Sequence, residues 1–205
     1  MIQSIVRIFD SKTKQMKETL RELIDKYGSD KNRNEYTPIY SSLFEPRRNQ
    51  SINLLEIGIG TMIEGVPSSM VGYSGEGYKP GGSLRAFRDY FQNGWIYGGD
   101  IQTDCMFEEE RIITFLFDST KRDKCDEALK DMNLDIIIDD GLHTYEAQIA
   151  TFQNLWDRLK PNGLYFIEDI APHNPLSQQW KHVFEDIDAE KWTNEYKNII
   201  VFQKK

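Results

Sequence analysis

Leu134-Asp135-Ile136-Ile137-Ile138-Asp139-Asp140-Gly141-Leu142-His143 is the stretch on which the fold turns. A short apolar run closed by acids and a glycine reads as a buried strand that ends in a loop. Leu164-Tyr165-Phe166-Ile167-Glu168-Asp169 repeats the form. Working outward, comparable runs stand at Ile52 to Ile57, Trp95 to Tyr97 and Ile112 to Phe117. Helical patterns at Leu84 to Phe91, Lys124 to Met132 and Thr144 to Leu159 lie between several of these runs, the alternation that builds a parallel sheet. Beyond the fifth run, a helix near Ser177 to Phe184 precedes two close strands, Lys191 to Tyr196 and Asn198 to Gln203, which predict an antiparallel hairpin. The expected fold is α/β: a Rossmann-like, doubly wound sheet of seven strands, mostly parallel, with a C-terminal antiparallel hairpin.

The chain of 205 residues suits a single domain over 1–205 with one full core. Within it, 1–48 is expected to form a helical cover and 49–205 the core. Lys12 to Lys26 places Met16, Leu20, Leu23 and Ile24 on one helical stripe that stops at Gly28. The polar, tyrosine-rich segment that follows, through Tyr36-Thr37-Pro38-Ile39-Tyr40 to Phe44, reads as accessory cover and not as core. Residues 61–80 form a glycine-rich insertion carrying Tyr73 and Tyr78, either a surface loop or a lid over a ligand crevice.

A formal charge of -8 argues against a nucleic-acid partner, since phosphate binding needs a clustered positive field. No run approaches the ~20 apolar residues that span a bilayer, and the start lacks a signal-peptide core, so a soluble cytoplasmic protein without a membrane partner is expected. Cys105 and Cys125 are spaced neither for zinc nor for a disulfide framework.

Open parallel sheets bind ligands at the carboxyl ends of their strands. Glu56-Ile57-Gly58-Ile59-Gly60 ends the first strand in a turn that backbone and ligand could share closely, although a tight strand-to-helix connection would look the same. Asp100 ends the second strand, where a ribose diol could donate two hydrogen bonds to it. Asp118 and Ser119 end the third; Asp118 could accept from an adenine amino group, and helix capping is the alternative for both.

The most specific signal is the meeting of Asp139-Asp140 with Glu168-Asp169 at the ends of strands four and five. Crowded carboxylates repel unless a cation or donors compensate, and oxygen ligands suit magnesium, manganese or calcium. One of the first pair and both of the second are expected to coordinate. His143, three residues past Asp140, can take a proton from a bound hydroxyl; packing at a helix start near Thr144 is the competing reading. His173 and His182 lack such surroundings.

At these residues the chain resembles class I methyltransferases, and within them the metal-dependent sugar O-methyltransferases of macrolide and other glycan pathways. The resemblance runs from Tyr27 to the C-terminus: Tyr27-Gly28-Ser29-Asp30-Lys31 with Tyr36 and Tyr40, Glu56-Ile57-Gly58-Ile59-Gly60, Gly81-Gly82-Ser83-Leu84-Arg85, Asp139-Asp140-Gly141-Leu142-His143 and Glu168-Asp169. It implies S-adenosylmethionine and Mg2+ (or Mn2+) as cofactors. It also implies Asp140, Glu168 and Asp169 as metal ligands and His143 as the base that deprotonates a sugar hydroxyl. Glu56, Gly58, Gly60, Ser83, Asp100, Asp118, Ser119 and Asp139 fall to the methyl donor, with Asp139 supporting the cluster or facing the donor's ammonium. Asp30, Lys31, Tyr36 and Tyr40 fall to substrate or cover. The long 61–80 segment departs from the family, as does the lack of a large amino-terminal domain, and the oligomeric state stays open, a homo-oligomer included.

The expected acceptor is a small-molecule sugar, with a nucleotide-linked or cell-surface hexose or heptose favoured because no apolar pocket for a macrolide aglycone is evident. A catechol-type O-methyltransferase is the near alternative, but that family pairs Asp with Asp-Asn and commonly uses lysine as base. A nicotinamide-dependent oxidoreductase would share Asp100 but needs a dinucleotide glycine loop. A noncatalytic binding domain would keep the fold alone.

Overall fold

The computed structural model describes residues 17–75, 77–170, 189–194 and 198–205, the backbone alone for 189–194. The helix expected near Ser177 to Phe184, with His173 and His182, lies outside the described residues, as does the part of the N-terminal pattern before Lys17. Eight strands form one sheet: β1 (Asn53–Ile57), β2 (Trp95–Asp100), β3 (Glu108–Glu109), β4 (Ile112–Leu116), β5 (Leu134–Asp139), β6 (Leu159–Ile167), β7 (Ala189–Asn194) and β8 (Ile199–Lys204). All seven expected strands are present, and β3 adds a two-residue antiparallel edge to β4. The order is β3-β4-β2-β1-β5-β6-β8-β7. The run from β4 to β6 is parallel, while β8 and β7 close the other side as the expected antiparallel pair. The chain leaves β1 for β2 and then returns to β5 on its far side, so the ends of β1 and β5 form the switch point at which such sheets open a crevice.

The central strands β1 and β5 and the end of β6 are buried on both faces, which is why their runs are apolar and not alternating. Leu54, Ile96, Ile136, Ile138, Leu164 and Phe166 face one core. Leu55, Ile57, Ile137, Tyr165 and Ile167 face the other, against α4 (Arg122–Ala128) and α5 (Tyr145–Leu155). The first core is closed by α1 (Leu20–Lys26), α2 (Thr37–Phe44) and α3 (Gly82–Tyr90). A capping box starts α1: the Thr19 hydroxyl accepts from the Glu22 amide, and the Glu22 carboxylate accepts from the Thr19 amide. In α2, Pro38 sits in the first turn, where its missing N–H costs nothing.

The tyrosine-rich segment is therefore not an accessory cover. Tyr36, Tyr40 and Phe44 are at most 2 % exposed and belong to the first core, packing with Phe87, Phe91 and Phe166. The polar character that suggested a cover comes from hydroxyls that reach past the ring packing to buried acids, as described below.

Candidate functional site

The registers of the central strands level their ends. Ile57 pairs with Gly99 on one side and Asp139 on the other, and Asp139 pairs with Ile167. The next residue of each strand therefore stands in one row across the sheet: Asp100, Gly58, Asp140, Glu168. Gly58 leaves a gap in that row. Its φ is +79°, and a Cβ there would collide with the Asp140 carbonyl, so the close passage of β1 and β5 requires glycine twice over. Above the gap lies a cleft of about 930 Å³, lined by Asp30, Gly58, Gly60, Asp100, Asp118, Ser119, Asp140, His143 and Asp169 among others.

At one end of the cleft, Asp100 is held in place by two backbone donors, Ile59 to Oδ2 and Gln102 to Oδ1, both at 2.9 Å. Asp118 uses Oδ1 to accept from the Thr120 amide at 2.9 Å and hydroxyl at 2.6 Å, which ties down the turn ahead of α4. The Ser119 and Thr151 hydroxyls share a hydrogen bond at 2.9 Å. Both residues thus have local structural work and still face the cleft.

At the other end the acids gather. His143 Nε2 lies 3.3 Å from Asp140 Oδ1, and Nδ1 lies 3.5 Å from Asp169 Oδ2. Asp140, His143 and Asp169 each offer a ligand atom, all within 4.8 Å of one another. Asp169 reaches this group because its φ is +52°, a left-handed turn that returns its side chain to the side of its neighbour Glu168. The Tyr36 hydroxyl steadies it, donating to Oδ1 at 2.6 Å. Burial alone would depress the imidazole of His143, but Asp140, then Asp169 and Asp139, push it up to about 9. Thr144, not His143, caps α5, so helix-start packing does not account for the histidine.

Glu168 was expected among the ligands and is not in this group. It is 1 % exposed; both its oxygens lie within 2.9 Å of Lys31 Nζ, and Oε1 also accepts from the Tyr40 hydroxyl. Burial pushes its carboxyl up, against the pull of Lys31. Lys31, whose ammonium Asp140, Glu168 and Glu56 keep protonated despite burial, is not among the residues that line the cleft. Tyr36 and Tyr40 back the acids from the core, and of the four residues assigned to substrate or cover only Asp30 lines the cleft.

Three residues assigned to the methyl donor also lie behind the wall. Glu56 is fully buried; its Oε2 accepts from the Ser83 hydroxyl and its Oε1 lies 2.9 Å from Lys31 Nζ. Asp139 is 2 % exposed and falls on the second core's side of β5, beside Tyr165; Gly141 N donates to Oδ1, Oδ2 has no partner, and burial pushes the carboxyl up to about 7. Strand parity is the reason: where Asp140 turns into the cleft, Asp139 must turn away.

Residues 61–80, expected as either a surface loop or a lid, contribute to the wall. Val66, Pro67, Ser68, Ser69, Met70 and Tyr73 line the cleft. Ser68 donates to the Gly141 carbonyl at 3.2 Å, and Arg33 to the Tyr73 carbonyl at 3.0 Å. The Tyr78 ring lies against Gly60 after β1, Gly28 after α1 and Gly82 at the start of α3. The sequence showed these glycines separately, Gly28 as a helix stop, Gly60 in a strand-end turn and Gly82 within a motif, with nothing to bring them to one tyrosine. The apolar side chains Ile101, Leu142 and Tyr73 line the cleft and are exposed, an apolar surface where no apolar pocket was evident from the sequence.

No protein-family model matches the chain. Over 153 residues, 74% of its length, it is 37% identical to demethylmacrocin O-methyltransferase of Streptomyces fradiae. Over 151 residues, 71% of its length, it is 34% identical to 8-demethyl-8-alpha-L-rhamnosyl tetracenomycin-C 2'-O-methyltransferase of Streptomyces olivaceus. The chain spans about a third of the length of these relatives, 35% and 36%. Among solved structures, the MycE methyltransferase of the mycinamycin biosynthetic pathway, in complex with Mg, SAH and mycinamycin VI, superposes with a TM-score of 0.74 at 26% identity, covering 92% of this chain and 55% of that one.

Proposed function

The chain belongs by homology with the sugar O-methyltransferases of macrolide and tetracenomycin pathways and carries a class I methyltransferase fold; from that premise we propose that it moves a methyl group from S-adenosylmethionine to a sugar hydroxyl, assisted by a divalent cation. One juxtaposition carries the reading. The Asp140, His143 and Asp169 cluster stands in the same cleft as Asp100, Asp118 and Ser119, so a base and a candidate cation site share a chamber with a set of nucleoside-facing acceptors.

The donor set fits a hard ion, being two carboxylates beside an imidazole with no thiolate near. Asp140 and Asp169 would hold Mg2+ or Mn2+, which when bound supplies positive charge to the acceptor oxygen as its proton leaves. S-adenosylmethionine, when bound, supplies a methyl group already activated on sulfur. The rest falls to the chain. Asp100 accepts from the ribose hydroxyls, its plane set by the Ile59 and Gln102 amides. Asp118 and Ser119 address the base. His143 accepts the proton of the attacking hydroxyl, and the carboxylates that now hold it protonated are those that would share their charge with the ion. The insertion 61–80 acts as the lid that excludes water, tied across the cleft through Ser68 and Arg33.

The tetracenomycin relative is named for a rhamnosyl acceptor, and Ile101, Leu142 and Tyr73 give this cleft an apolar rim. Both favour the sugar of a finished glycoside over a nucleotide-linked one. The test is calorimetry with S-adenosylhomocysteine and NADH, followed by transfer of labelled methyl to panels of glycosides and nucleotide sugars, with Mg2+ or with EDTA. S-adenosylhomocysteine should bind and NADH should not, and transfer to a glycoside should stop in EDTA. Binding of NADH alone, or full turnover in EDTA, would sink the reading; transfer confined to nucleotide sugars would overturn its acceptor.

A further inference from the structure

Two carboxylates from the chain around the end of β2 hold the loop that follows β1. Asp100 does so within the cleft, accepting from the Ile59 amide at 2.9 Å. Asp104 does so outside it. After Ile101 and Gln102, which line the cleft, Thr103–Cys105 wind one 3-10 turn, and Cys105 sinks fully buried into the first core. That anchor leaves Asp104 exposed beside the insertion and not among the residues that line the cleft. Its Oδ1 accepts from the Thr61 hydroxyl and its Oδ2 from the Met62 amide, each at 2.7 Å. Thr61, 4 % exposed, carries the connection onward: its carbonyl accepts from the Met70 amide at 2.9 Å, and the Met70 carbonyl from the Tyr73 amide at 3.0 Å. The Tyr73 carbonyl in turn accepts from Arg33, which follows the turn whose Asp30 feels the charge of Asp140 and Asp169. One turn of chain and a series of hydrogen bonds thus connect the Asp100 end of the cleft to its acidic end.

We propose that Asp104 is a positioning residue that couples occupancy of the methyl donor's site to closure of residues 61–80 over the cleft. The inference rests on the methyl-transfer reading above, with 61–80 as its lid. Residues 62–79 are mostly exposed, and a segment with so few buried contacts opens locally at low cost, so the bonds near its ends govern how long it stays down. Two of those bonds go to one carboxylate, and a charged acceptor makes stronger hydrogen bonds than a neutral one. Asp104 stands four residues from Asp100 in a turn pinned by Cys105, so a ribose held by Asp100 steadies the turn that presents Asp104 to Thr61 and Met62. Such coupling is reciprocal: if the donor favours the closed segment, the closed segment favours the donor by the same factor. A carboxylate that served only to tie the loop down would hold it equally well with the site empty or filled, and the two roles separate on that point.

Chymotrypsin cleavage of the full chain after Tyr73, which is 65 % exposed, read by mass spectrometry with and without S-adenosylhomocysteine, tests the coupling without reference to turnover. In the parent, saturating S-adenosylhomocysteine should slow this cut by about fivefold or more. Asp104→Ala should be cut severalfold faster than the parent when the site is empty. Its protection by S-adenosylhomocysteine should fall below about twofold, and its affinity for that compound in calorimetry should weaken by the factor of protection lost. Asp104→Asn should restore protection to within about twofold of the parent, because its carbonyl can accept from the Met62 amide while its NH2 donates to the Thr61 hydroxyl. Thr61→Val keeps the carboxylate and removes one of the two bonds, so it should lose part of the protection, and it carries the test should Asp104→Ala fail to fold. Asp104→Ala protected as fully as the parent, or Asp104→Asn failing as completely as Asp104→Ala, would overturn the coupling and leave the methyl-transfer reading intact. A parent that binds S-adenosylhomocysteine yet is cut as fast with it as without would do the same. A parent that binds none would overturn the methyl-transfer reading and this inference with it.

Discussion

His143 and Asp169 show how single side chains acquire a task from their surroundings. His143 is partly exposed, is held between two carboxylates and is not the capping residue of its helix. His143→Ala should keep S-adenosylhomocysteine affinity within about threefold, since the nucleoside end of the cleft is untouched, and lower kcat by about a hundredfold or more. Calorimetry beside a labelled-methyl assay checks both halves, and an equal loss of donor affinity would instead make the residue part of the binding wall. Gly58 carries a different kind of necessity. Gly58→Ala places a Cβ against the Asp140 carbonyl at a φ of +79°, and the left-handed strain alone is worth about 1–3 kcal/mol. Its urea midpoint should fall accordingly, with the m-value unchanged; an unaltered midpoint would mean that β1 and β5 separate at little cost.

Among the elements, the insertion and the N-terminal helices decide the form of the cleft. Residues 61–80 are pinned at both ends: Thr61 Oγ1 and the Met62 amide bond Asp104, each at 2.7 Å, and the Gly81 amide bonds the Ile59 carbonyl at 2.7 Å. Between these points the Tyr78 ring is the anchor, seated on three glycines. Tyr78→Ala should leave the melting temperature within a few degrees but speed limited proteolysis between Glu64 and Lys79 severalfold, because local opening tracks the few contacts that hold a loop down. Unchanged cleavage would show that the end contacts suffice. The helices α1 and α2 act from the opposite side. They bring Lys31, Tyr36 and Tyr40 under the acids, so the first core and the site share residues, and loosening the one disturbs the other.

At the scale of the molecule, a sheet buried on both faces places the cysteines deep, and this has a consequence for pH. Cys125 is fully buried, donates to the Ser119 carbonyl at 3.3 Å and is pushed up by burial to about 11. The unfolded thiol loses its proton near its ordinary value while the folded one keeps it. Its contribution is thus present below pH ~9 and is lost as pH rises toward 11, on the order of 2 kcal/mol. Melting temperatures from pH 8 to 11 should fall more steeply for the parent than for Cys125→Ala, and equal slopes would contradict the assignment. Among the described residues no helix is long and apolar enough to cross a membrane.

The order of strands and helices and the row of strand-end acids could be read from residues alone, because hydrophobic period and strand-end position are local properties that the pattern carries directly. The deep packing of Tyr36, Tyr40 and Phe44 could not, since nothing local distinguishes a tyrosine that covers a surface from one whose hydroxyl meets a buried acid across 128 residues. Nor could the division of the acids. Whether a carboxylate meets the cleft or a lysine depends on strand parity at Asp139 and Asp140, on the left-handed turn at Asp169 and on the docking of Lys31 from 137 residues away. Four acids and a histidine were a property of the sequence. Which of them line the cleft was decided only when the helices closed over the sheet.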